Sequence, residues 1–321
     1  MLNTRVAQNG NLPMGIEEAI ADKGFPSEDF LLTKIMHTFS VWGIGKTKKD
    51  VGIWLSNFTG EVFSEQYEKL LALWMLVNFT FYNEKEVRHL CRVLYKELLH
   101  IVIKNRQPND NIEENARKFF DKSRIVAVDR TSGSQGFIAY LFRHENSLPY
   151  KTFARTVDDL TKFDNIIIID DVILTSGEEG QMDEYLTNVK KEHPSKKLFL
   201  LVLIASKHAR EYIQKKFDVE IVTAIQLDSR HKCFDSESEI FASFESLLEH
   251  ARTMVEHYGK KIGMTNPLGY EGGEYTFGFY YNTPDNTLPI FWGYQNGWNP
   301  IMKRYHKNIN LEQYLTYGRF V

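Results

Sequence analysis

The run Asn165-Ile-Ile-Ile-Ile-Asp-Asp-Val-Ile-Leu-Thr-Ser-Gly177 constrains this chain more than any other stretch. Four consecutive isoleucines make a strand that is apolar on both faces, as in a parallel sheet covered by helices on both sides. Asp170 and Asp171 are expected where that strand ends. The small residues Thr175, Ser176 and Gly177 then form a turn, and a helix-like segment begins near Glu178. In open α/β sheets, ligands bind outside the carboxyl ends of the strands. Backbone N–H groups of a strand-to-helix turn form an anion cradle. Paired carboxylates beside such a cradle can hold sugar hydroxyls or a magnesium ion. Together these are the elements of a ribose-phosphate site.

The surrounding pattern agrees with a parallel sheet. From Arg124 onward, strand and helix signals alternate: strands over 125–128, 166–169, 198–205 and 220–223, helices over 135–143, 182–191 and 208–217. This βαβ rhythm predicts a largely parallel sheet with helices on both faces. Upstream, residues 28–122 read as helices. Ser64 is placed to cap one of them, and Asp110 with Glu113 marks another start, with Ile112, Ala116, Phe119 and Phe120 facing inward. A long helix is expected over 241–258. Beyond it come a Gly/Pro-rich loop from Thr265 to Gly273, read as a mobile flap, and an aromatic strand over 275–281. The expected division is an N-terminal helical region over 1–122, an α/β core over 123–260 and a C-terminal hood over 261–321.

Composition narrows the partners. The chain has 321 residues, 43% of them hydrophobic and 25% charged, enough to bury a substantial core. A net charge of −3 gives no general attraction to nucleic acid. Two cysteines, Cys91 and Cys233, are too few for a disulfide framework and fit a reducing cytoplasm. The longest apolar runs are strand-length, so no membrane span is expected. The histidines show no metal-ligand spacing.

The Asn165–Gly177 run resembles the PRPP-binding signature of type I phosphoribosyltransferases: four apolar residues, two acids, two apolar residues, then a Thr/Gly-rich turn. The resemblance implies that Asp170 and Asp171 face the ribose 2′ and 3′ hydroxyls and a magnesium ion, and that Thr175, Ser176, Gly177 and Glu178 occupy the 5′-phosphate turn. It also implies that the loop after the first core strand, with Arg130, Thr131, Ser132, Gly133 and Ser134, contacts pyrophosphate. The bland reading of that loop is an ordinary βα connection. Three positions depart from the signature. Ser176 and Glu178 stand near the usual Gly and Thr, and Leu174 stands where some members carry an acid acting as general base. The rival nucleophile motif Asp-x-Asp-x-Thr fails, because Val172 occupies its second acidic position.

With the N-terminal helices and the segment Asn282-Thr-Pro-Asp-Asn-Thr-Leu-Pro-Ile-Phe-Trp292, the chain resembles bacterial phosphoribosyltransferase-like proteins linked to conflict and phage-defence systems. That resemblance implies a phosphoribosyltransferase-like fold and a ribosyl-phosphate or nucleotide ligand. It also implies a protein partner in a defence complex and a cytoplasmic location. Two functions stay open: an enzyme that transfers or cleaves a ribosyl group with magnesium, and a catalytically degenerate sensor or scaffold subunit.

Trp42-Gly-Ile-Gly-Lys-Thr47 ends like a phosphate-binding loop, but Ser40 stands where its first Gly belongs and the preceding segment reads as helix. A solvated turn is expected there. Trp298 with Lys303, Arg304 and His306 is either core or a basic, aromatic surface able to stack a base.

Overall fold

The computed structural model describes residues 24–104, 111–127, 134–154, 160–175 and 181–304. In chain order the main elements are α1 (Glu28–Trp42), α2 (Lys48–Leu55), α3 (Glu65–Val77), β1 (Thr80–Tyr82), α4 (Glu84–Lys104), α5 (Ile112–Asp121), β2 (Ser123–Ala127) and α6 (Ser134–Glu145). They continue with β3 (Asn165–Ile173), α7 (Gln181–Glu192), β4 (Lys197–Ser206), α8 (Lys207–Phe217), β5 (Glu220–Leu227), α9 (Glu245–Ile262), β6 (Phe277–Phe279) and α10 (Pro289–Trp292). They form two compact units, residues 84–228 and a discontinuous unit of residues 1–83 with 229–321.

The continuous unit is built on the parallel sheet that the sequence predicts, β2-β3-β4-β5. Phe153 bridges Ile125 in parallel, and its neighbour Ala154 donates to the Ile125 carbonyl at 2.9 Å, so the chain forms a further edge beyond β2. Numbered along the chain, the strands therefore lie in the order 2-1-3-4-5. The helices divide accordingly. Residues of α7 and α8 (Leu186, Val189, Ala209, Ile213, Phe217) share a core with Ile166, Ile168, Leu198 and Leu200 on one face. Phe199 points to the other face, where it meets Phe119 of α5. There Tyr95 of α4 stacks on Phe120 and approaches Phe142 of α6. Opposite directions of travel with helices on opposite faces make a doubly wound sheet, whose topological switch lies between β2 and β3.

The discontinuous unit joins the N-terminal helices to the C-terminal segment. Ser27 and Ser64 cap α1 and α3, Thr47 and Asp50 form a capping box on α2, and Gly43 closes α1 in the left-handed conformation. Residues 42–47 are thus a helix–helix joint entered from a helix and not from a strand, as expected. Trp54, Phe58, Tyr258, Phe291 and Trp298 pack in one core, and both indoles donate to the Ile290 carbonyl. Glu68 on α3 is fully buried. Its carboxylate accepts from the backbone N–H groups of Gly60 (2.8 Å), Val62 (2.8 Å) and Phe63 (3.0 Å) and from the Tyr258 hydroxyl (2.6 Å). Burial, with this bond to Glu68 behind it, pushes the Tyr258 phenol up to about 12. Strand β1 pairs in parallel with β6, Thr80 opposite Phe277.

Several expectations are corrected. The cap of α5 is Asn111, whose side chain accepts from Glu113 and Glu114 N–H, and Ile112 is 47% exposed rather than inward. The aromatic strand is confined to 277–279 and the long helix begins at Glu245. The Thr265–Gly273 loop is fastened rather than free: Tyr270 N–H donates to the Asp285 carbonyl at 2.8 Å, and Glu274 N–H to the Leu268 carbonyl. Gly269 sits at φ +91°, and a Cβ there would lie 2.5 Å from the Asn286 carbonyl, so only glycine permits this closure. Trp298 is core, and Arg304 lies over the Trp292 ring while binding the Thr283 carbonyl and Asp285. The basic stacking surface is therefore not formed by these two side chains; His306 lies outside the described residues.

Candidate functional site

The last β2–β3 pair is Ala127 opposite Ile169. The next residue of β3 is Asp170, so the acids begin level with the end of β2. This is the switch crevice of the sheet. The strand does not end at the acids: β3 continues to Ile173, with Asp170 opposite Val202 and Val172 opposite Ile204. Both carboxylates therefore hang on a strand still paired with β4 instead of on a loop.

Asp170 is only 6% exposed. Its Oδ1 accepts from the Asp171 N–H at 2.8 Å, and the side chain of Gln135, one residue into α6, donates to the carboxylate. Burial, and then the neighbouring Asp171 carboxylate, push the Asp170 carboxyl well above the usual carboxylate range. Asp171 is half-buried and reachable from solvent. The pair thus presents one protected and one accessible carboxyl. Oxygen donors of this kind suit a hard cation, and magnesium is commonly held by one or two carboxylates with the ligand's phosphates supplying the rest. Among the described residues, no cluster of three or more His, Cys, Asp or Glu stands together. A magnesium ion here would be shared with a ligand.

This electrostatics has a measurable consequence. A carboxyl raised in the folded state stabilises the fold below its unfolded value and loses that contribution as pH rises through the folded value. Asp170→Asn, which stays neutral at every pH, is expected to melt a few degrees above wild type at pH 8. The difference should close toward pH 4. Melting curves across that range check it; a variant less stable than wild type at pH 8 contradicts the sign.

The remaining predicted residues are placed unevenly. Thr175 follows β3 and is half-buried; Ser176, Gly177 and Glu178 lie outside the described residues. Ser134 opens α6 beside Gln135, whereas Arg130, Thr131, Ser132 and Gly133 lie outside them. Leu174 is buried, and its carbonyl accepts from the Ser206 hydroxyl at 2.8 Å. That hydroxyl also accepts from Ala209 N–H, capping α8. Ser206 and Gln135 are the structural partners that sequence reasoning passed over. Ser206 carried a signal, a serine directly before a helical pattern. Gln135 carried none.

Two surface hollows, of about 530 and 380 Å³, open elsewhere. Both include Lys197, and their linings contain Asp164, Asn165 and Glu220, which lie at the amino ends of β3 and β5. Lys197 and Ser206 are the first and last residues of the ten-residue β4, so these hollows lie at the opposite end of the sheet from Asp170. They are open surface hollows lined by several lysines, apart from the candidate site.

No helix among the described residues is long and apolar enough to cross a membrane. No curated protein matches the chain. The PRTase-CE family matches residues 51–304, which takes in the doubly wound sheet, the Asp170–Asp171 pair and most of the discontinuous unit. With that match over most of its length, the chain belongs to the PRTase-CE family and is a phosphoribosyltransferase-like protein.

Proposed function

We propose that the protein binds PRPP or a related ribosyl phosphate together with magnesium, in the crevice beyond β2 and β3. The observation that carries this reading is the Asp170–Asp171 pair, fixed on a central strand at the topological switch of a parallel sheet. Asp171 would meet a ribose hydroxyl or the cation from solvent, while Asp170, anchored by Gln135 and the Asp171 N–H, sets its orientation. Thr175, Ser176 and Gly177 would receive the 5′-phosphate through backbone N–H groups. The 130–134 loop, with Arg130, would receive the pyrophosphate. Bound magnesium supplies charge neutralisation for the phosphates and the leaving pyrophosphate.

One observation favours a second reading, a nucleotide sensor or scaffold without turnover. Leu174 occupies the general-base position of some phosphoribosyltransferases, and here it is buried with its carbonyl already bonded to Ser206. Nothing at that position can accept a proton from an acceptor group. Either reading fits a cytoplasmic role in bacterial anti-phage defence with a protein partner, which plaque counts on bacteria carrying wild type or Asp171→Asn would test.

Calorimetry with PRPP tests the binding itself. Glu178 opposes a phosphate in the adjoining turn by about 1 kcal/mol if water-screened. Binding is therefore expected to be weak without magnesium, to improve with it, and to tighten roughly fivefold in Glu178→Thr. No binding by either protein removes the ribosyl-phosphate reading. Pyrophosphate release from bound PRPP separates the enzyme from the sensor.

A further inference from the structure

Gln135 carries a hydrogen-bonding pattern that the site as described does not use. Its side-chain amide donates to the buried Asp170 carboxylate. Its Oε1 is buried and meets no donor among the described residues. An amide whose N–H is committed to a carboxylate has a fixed orientation, and its oxygen can then only accept. A buried acceptor without a donor is costly and calls for an explanation. Gln135 sits on the first turn of α6, the helix that follows β2 in the chain. Its amide therefore lies in the same crevice as the two acids.

We infer that Gln135 is a specificity-determining residue, whose Oε1 accepts a hydrogen bond from one ribose hydroxyl of the ligand held by Asp170 and Asp171. This rests on the ribosyl-phosphate reading and deepens it. The acids can bind a hydroxyl, a cation or an ammonium group alike, because a carboxylate accepts from any donor. Gln135 adds a neutral acceptor at a fixed place beside them. A cation gains little from a neutral amide when carboxylates are within reach, whereas a hydroxyl can donate to the amide and accept from elsewhere. A sugar lacking that hydroxyl leaves Oε1 buried and unmet, and sites built to pair a hydroxyl reject its absence strongly. The device thus separates ribosyl from deoxyribosyl ligands.

The test is calorimetry on the full chain, with magnesium, using ribose 5-phosphate and its 2-deoxy and 3-deoxy analogues. Wild type is expected to bind one of the two deoxy sugars at least about tenfold more weakly than ribose 5-phosphate, the loss of one buried hydrogen bond. In Gln135→Met that gap should narrow by about tenfold. A Gln135 that only braces Asp170 would weaken all three sugars equally, leaving the ratios unchanged. Equal binding of the three sugars by wild type, or an unaltered gap in Gln135→Met, overturns the inference. If PRPP binds while the sugars are not distinguished, the inference fails and the ribosyl-phosphate reading stands. If no ribosyl phosphate binds wild type at all, both fail. Gln135→Leu serves as the second apolar variant should Gln135→Met not melt cooperatively.

Discussion

Glu68→Ala is expected to be among the most damaging single substitutions in the chain, lowering stability by about 3–5 kcal/mol and the melting temperature by roughly 10 °C. The side chain is fully buried and satisfies four donors. Truncation leaves the N–H groups of Gly60, Val62 and Phe63 and the Tyr258 hydroxyl without their acceptor, inside a core where water does not replace it. It also frees the turn before α3 from the helix it precedes. Glu68→Gln is expected to cost about half as much. One oxygen can still accept from Val62 and Phe63, while the new amide N–H₂ faces the Gly60 N–H. Chemical or thermal melts of the three proteins check the order. An alanine variant within about 1 kcal/mol of wild type would show that the turn rearranges to satisfy itself.

The second large effect is on binding. Asp171→Asn is expected to weaken magnesium-dependent PRPP binding by at least about a hundredfold and to shift the melting temperature little. Asp171 is half-buried on β3, and its side chain adds no apolar packing. An amide keeps the shape but loses the charge that draws a cation, and it offers one acceptor oxygen in place of two. Loss of ligand-induced thermal stabilisation with an intact melt is the expected signature. If the variant unfolds instead, the pair belongs to the scaffold rather than to a ligand.

Local signals made the sheet legible. Four isoleucines and an eight-residue apolar run over 198–205 each point to one structure, and strands β3 and β4 fall where those signals stand. The acids were legible as a pair, but not as residues within a strand. Carboxylates are poor strand formers, so they read as an ending, whereas pairing with β4 carries the strand on to Ile173. Gln135 was not legible, because nothing local to Ser-Gln-Gly specifies a contact with a carboxylate 35 positions on. The same limit applies to the discontinuous unit. Thr80–Tyr82 is three residues long, and its partner, Phe277–Phe279, is chosen by tertiary packing alone. Trp298 could read as a stacking surface because amphipathic indoles serve both roles. Its N–H finding the Ile290 carbonyl inside the core decides between them.

The parallel pairing of Thr80 with Phe277 also governs the order in which this chain can fold as it is made. A ribosome adding at most about 20 residues per second needs on the order of 10 s to pass from the first of these positions to the second. During that interval Leu31, Leu71 and Leu73 have emerged, while Leu247, Phe291 and Trp298 of the same core have not. Residues 84–228, by contrast, hold β2, β3, β4 and β5 in one continuous stretch and can close as soon as β5 has cleared the tunnel. The nascent protein therefore carries a finished sheet behind a group of unfinished apolar helices. That early helical stretch, rather than the ligand-binding sheet, is where a chaperone would find its substrate.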